Sequence, residues 1–194
     1  MHRFRWKLVT PVHTARLLII GTVSALAVGL GAAPALAANP SGTDVTFEIQ
    51  AGGLDLTTAA DADLGDTAVS GAAITATLGA VSVLDTRASA DSSWTATAVS
   101  SAFVTGAGTG TSLIAATNVR YWSGAVTANS GTGTATGQQL TAPASVQIDT
   151  AKSAVVNAGG SGNNTVTWSP TLIVNVPISN VAGVYTGTVT HSVA

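Results

Sequence analysis

The chain has 194 residues, seven Lys and Arg against nine Asp and Glu, and no cysteine. With 8% charged and 46% hydrophobic residues it lacks the make-up of a highly charged disordered chain. Its acidic balance excludes the clustered cations that nucleic acid requires, and the missing thiols exclude disulfides and zinc–sulfur sites.

Residues 1–37 read as a secretory signal peptide. His2, Arg3, Arg5, Lys7 and Arg16 form a basic start, and an uncharged apolar run follows from Leu17 to Leu30. Pro34 then breaks the run, and Ala35-Leu36-Ala37 supplies the small-x-small pattern for cleavage. The apolar run is about 14 residues, short of the roughly 20 that span a bilayer. The expectation is a secreted protein, with residues 38–194 as one domain and no transmembrane span after processing. Only Arg87, Arg120 and Lys152 then remain as cations against nine carboxylates, a net charge of −6. An exported domain without disulfides must be held by its core.

Past a short flexible stretch at Asn39–Thr43, apolar residues recur at every second position. Val45, Phe47 and Ile49 alternate with Thr46 and Glu48, and Leu54 and Leu56 flank Asp55. Ile74, Ala76 and Leu78 alternate with Thr75 and Thr77, and Val81 and Val83 continue after Gly79. Trp94, Ala96 and Ala98 follow the same rule, as do Leu172, Val174 and Val176. Tyr185, Val189 and Val193 share a face opposite Thr186, Thr188 and Thr190. Period-two alternation puts one face of a strand on a core and the other in water.

Glycine-rich stretches at 106–110, 130–137 and 158–164 read as loops, and Pro143, Pro170 and Pro177 as edges, bends or strand starts. The fold expected is all-β: a single antiparallel β-sandwich. The chain shows no fixed repeat period, which argues against a solenoid.

Asp63-Leu64-Gly65, then Leu78-Gly79-Ala80-Val81-Ser82-Val83-Leu84-Asp85-Thr86-Arg87, then Trp94, resemble the WxL family. Residues 182–190, AGVYTGTVT, are similar to that family's last hairpin. The resemblance covers roughly Val45 to Ala194. It implies a β-sandwich on the surface of a Gram-positive bacterium, attached non-covalently to the cell wall and without catalysis. Two Trp-x-Leu signatures name the family. Here the first position reads Trp94-Thr95-Ala96, and the chain ends His191-Ser192-Val193-Ala194.

Asp85 and Arg87 are two apart, so on a strand they share a face; an ion pair there would fix the loop leading to Trp94. Trp94 is expected to fill the space between sheets, and Trp168 beside Pro170 to plug a core or corner. Arg120, Tyr121 and Trp122 are the candidate binding residues. Strand neighbours face opposite ways, so one of the two aromatics leans outward, where it would either stack on a sugar ring or cover an edge of the core. Asp61, Asp63 and Asp66, with Asp55 nearby, form either a solvated acidic loop or a calcium loop, although the spacing is not that of an EF-hand.

No catalytic residues are assigned. His191 is the sole histidine after Ala37, no G-x-S-x-G elbow occurs, and no Lys-Ser or Lys-Thr directly follows the glycine-rich loops at 106–110 and 131–137. No cofactor and no metal site is expected. Two functions stay open: association with peptidoglycan or another wall polymer, and binding of another surface protein or of itself through sheet edges.

Overall fold

The computed structural model describes residues 43–65 and 71–194. The signal peptide expected at 1–37 and the carboxylate of Asp66 lie outside the described residues. The compact unit Thr46–Ala194 is all-β, built of antiparallel sheets packed against each other, with no α-helix among the described residues.

Fourteen strands occur among the described residues, in the order β1 Leu54–Thr57, β2 Ala73–Thr77, β3 Val81–Asp85, β4 Trp94–Ser100, β5 Phe103–Val104, β6 Leu113–Ile114, β7 Val119–Trp122, β8 Val126–Gly131, β9 Thr134–Gly137, β10 Val146–Gln147, β11 Lys152–Ala158, β12 Asn164–Trp168, β13 Thr171–Asn175 and β14 Val189–Val193. They form a first sheet β1-β3-β12-β8, a second β10-β7-β13-β2, a third β14-β4-β11-β9, and the small pair β5-β6.

The first two sheets continue one another. The strand order β3-β12-β8 in one matches β2-β13-β7 in the other, and each pair is consecutive in the chain. In register, Trp168 faces Val81 and Val126, while Thr171 faces Thr77 and Trp122. Three strands are thus interrupted at one level. Pro170 cannot donate to a ladder there, and Gly79 (φ 85°) and Gly124 (φ 69°) adopt a backbone that side-chain-bearing residues avoid. Leu78 N–H reaches across the break to the Pro170 carbonyl at 2.9 Å.

The third sheet runs unbroken beneath both. Its central strands β4 and β11 supply both cores: Ala98 and Ala154 pack with Tyr121, Ile148, Leu172 and Val174, whereas Trp94, Ala96 and Val155 pack with Val81, Val83, Val166 and Trp168. A register shift between Ser153 and Val155 lets consecutive residues Ala154 and Val155 both face inward. The alanines on β4 leave room for the two buried indoles, so large and small residues interdigitate across the layers.

Several local expectations hold: Trp94 is 2% exposed and Trp168 is fully buried, so both indoles are core. Others are corrected. Val45, Phe47 and Ile49 alternate but form no strand and lie exposed, because no sheet edge receives them. Residues 130–137 are not one loop. The end of β8 and all of β9 lie there, since backbone pairing with β12 and β11 holds Thr- and Gly-rich chain that has little apolar signal of its own. Residues 182–190 form no hairpin: Thr186 bridges Val104, and β14 pairs with the distant β4.

Trp94→Ala should lose about 3–5 kcal/mol of stability in urea unfolding, whereas Trp122→Ala, at a half-buried outer position, should lose about 1 kcal/mol.

Candidate functional site

At the end of the first sheet, Asp85 and Arg87 form the expected pair. Arg87 Nε donates to Asp85 Oδ1 at 3.0 Å and Nη2 to Oδ2 at 3.0 Å. The Arg87 backbone N–H adds a bond to Oδ1 at 3.1 Å, and Nη2 also donates to the carbonyl of Ser92 at 2.9 Å. Asp85 is fully buried, and the Arg87 hydrogen bond holds its carboxyl below the usual carboxylate range despite that burial. Trp94 Nε1 donates to Asn164 Oδ1 at 3.3 Å, and Asn164 stands opposite Asp85 in register. The cluster closes the 86–93 loop onto the strands; its groups are spent on one another rather than aimed outward.

Arg120, Tyr121 and Trp122 do not form one surface. Tyr121 is fully buried, which corrects its placement among the binding residues: β7 directs positions 119 and 121 into the core and 120 and 122 outward. Its hydroxyl accepts a hydrogen bond from Trp168 Nε1 at 3.2 Å and meets His191 Nε2 at 3.2 Å. With the indole as donor, the phenol proton points at His191, whose Nε2 is then the acceptor. Arg120 is half-buried, and its guanidinium is held by the Ser145 hydroxyl (Nε to Oγ 3.0 Å) and the Ser145 carbonyl. Trp122 remains as a half-buried indole on the outer face.

Among its described residues the acidic loop has the contact Gly65 N–H to Asp63 Oδ1 at 2.9 Å, an ordinary turn. No group of three or more metal-ligating side chains occurs among the described residues.

One concave feature was not anticipated from the sequence. A cavity of about 920 Å³ opens between Ile74 and Val174 on one side and Phe103, Ile114 and residues 181–187 on the other, with Leu64 at its margin. It lies where the second sheet ends. β2 is that sheet's edge, paired with β13 on one side and with no strand on the other among the described residues. In the first sheet the corresponding position, beyond β3, is filled by β1. Ile74 and Ala76 face inward yet stay only half-buried, so the core is left partly uncovered at this edge. Ile178, Val181 and Val184 are exposed at 85%, 47% and 86%, and the latter two line the cavity. The signal that would have found it was indirect: β1 has a partner-filling role for which β2 has no counterpart.

No family model, curated protein or solved structure matches the chain.

Burial holds the His191 imidazole neutral, with its pKa lowered to about 4. The unfolded chain binds that proton near 6.5, so the folded state is fully favoured above pH 6.5 and loses stability as pH falls toward 4. The loss should reach about 3 kcal/mol. His191→Gln should remove the slope in this window. Asp85, whose carboxyl is lowered, keeps its contribution above 3.8 and loses it only below, so the Asp85→Asn difference should be full at neutral pH and shrink below 3.8. Urea unfolding of residues 38–194 at several pH values checks both.

Proposed function

We propose that this is an exported, non-catalytic interaction module of the cell envelope that captures an extended polypeptide along the open edge of β2. One observation carries the reading: a cavity of about 920 Å³, lined mainly by aliphatic and aromatic side chains with Asp63 and Thr186 among them, lies beside a strand edge that is unpaired among the described residues. Such an edge offers backbone donors and acceptors in a row, and alternate side chains of an added strand would enter the cavity while the others face water. Contiguous apolar surface of this kind marks interaction sites rather than ordinary surface.

The leader-like residues 1–37 and the resemblance to the WxL family support a secreted, surface-located role in a Gram-positive bacterium. The non-catalytic reading rests on side chains with chemistry being committed to one another. His191 faces Tyr121 and Trp168, and Asp85 is taken up by Arg87.

Non-covalent association with peptidoglycan or another wall polymer is the second reading, favoured by the half-exposed Trp122 beside Arg120 on the outer face of β7. It has less support, since a lone indole offers one stacking surface and Arg120 is tied to Ser145.

Two measurements separate these readings. Alternating Thr/Val peptides of unrelated sequence, titrated into the processed chain, should shift methyl resonances of Ile74, Val174 and Val184 and leave the indole of Trp122 unmoved. Val184→Asp should abolish the response. Sedimentation with protein-free wall material, lost in Trp122→Ala and kept in Val184→Asp, would replace strand capture with wall binding.

A further inference from the structure

Nine large apolar residues are exposed among the described residues, and six of them fall into two groups. Val181 and Val184 line the cavity, and Ile178 lies just before them in the chain. Val45, Phe47 and Ile49, at 82%, 85% and 75% exposure, lie on the chain leading into β1. That segment has the alternation of a half-buried strand, yet no strand among the described residues pairs with it. Each group is what the other lacks: an open edge with an uncovered core, and a strand pattern with no sheet.

We propose that the 45–49 segment of one copy adds as a strand beside β2 of a second copy, placing Val45, Phe47 and Ile49 in the cavity and Thr46 and Glu48 in water. This rests on the reading of the cavity as a strand acceptor and names its occupant. The lengths agree, since the segment spans five residues and β2, Ala73–Thr77, has five. The facing also agrees: Ile74 and Ala76 turn inward while Ala73, Thr75 and Thr77 turn outward, the same two-residue period.

The occupant must come from another copy. Gly52 N–H donates to the Thr86 carbonyl at 2.8 Å and Thr86 N–H to the Gly53 carbonyl at 2.8 Å, which pins the segment at the far end of β3. From Asp85 back to Ile74 the chain runs through β3, the break and β2, roughly 36 Å at strand rise. Phe47 is five residues from the Gly52 pin and reaches about 18 Å at full extension. Donor and acceptor therefore sit at opposite ends of the same broken sheet. The contact uses two different surfaces, so each added copy presents a fresh acceptor or donor, and the assembly is an open head-to-tail chain rather than a closed dimer.

Light scattering of the processed chain, Ala38 onward, over a concentration series tests this. The mass should rise past that of a dimer without a plateau. Phe47→Asp and Val184→Asp alter exposed side chains, so both should unfold at the wild-type temperature and remain monomeric. Mixed together they hold one intact segment and one intact cavity between them, and should form a heterodimer and nothing larger. A peptide of residues 43–50 should bind the Phe47→Asp protein and block that heterodimer; the same peptide carrying the Asp substitution should bind about a hundredfold more weakly. A monomer at every concentration, a mass that stops at dimer, or assembly that survives Val184→Asp would overturn the proposal. If unrelated alternating peptides bind while the 43–50 peptide does not, self-recognition fails and strand capture stands. If neither binds, both fall.

Discussion

The fold depends on one interruption shared by three neighbouring strands. Pro170, Gly79 and Gly124 stop the ladders at a common level, so that one broad layer becomes two sheets over a third that runs on beneath them. Such a break exposes backbone and side-chain polar groups in the interior, where each unpaired group costs free energy. Trp168 and Tyr121 stand just before two of the interruptions, and their hydrogen bond joins the two apolar clusters at their seam. His191 on β14 completes the line from the opposite layer. A buried polar network of this kind holds the layers in one register, because a slip of one residue would leave indole, phenol and imidazole without partners.

The two ends of the molecule solve different problems. At the end of the first sheet the charged groups are consumed internally. Asp85 is fully buried and satisfied by bidentate Arg87, and Arg87 in turn closes the following loop through backbone carbonyls. Such a pair adds little net stability compared with an apolar replacement, but it fixes geometry, and removing one member strands a buried charge. Across the break, no strand among the described residues flanks β2 as β1 flanks β3. Apolar residues there remain half-covered, which is where the molecule has surface to offer.

That segregation links sequence to function. Apolar side chains on an exposed surface carry an aggregation hazard unless a partner covers them, and natural edge strands are usually blunted by charge or distortion. Here Thr75 and Thr77 face water from β2 without a charged residue on that strand. An edge left open in this way fits a surface used for strand addition.

Much of the fold was legible from residue order alone. Alternation at Leu54, Ile74, Val81, Trp94 and Leu172 gave strands because period two is a local property of extended chain. The same locality placed Asp85 and Arg87 on one face and marked Trp94 and Trp168 as core. The structure corrected cases where the neighbour mattered more than the pattern. Val45, Phe47 and Ile49 carry a strand pattern with no edge to join, whereas Thr134–Gly137 carries little pattern and becomes a strand because β11 offers one. Tyr121 went inward and Trp122 outward through the register of β7 against β13, which no local rule sets. The cavity too was invisible, since it arises from residues brought together from 62–65, β2, β5, β6, β13 and 181–187. The sequence by itself determined that the chain is extended, disulfide-free and held by apolar burial, because those follow from side-chain type and spacing. Only tertiary structure decided which edge stays open and which apolar segment stays unpaired, because pairing belongs to two segments at once.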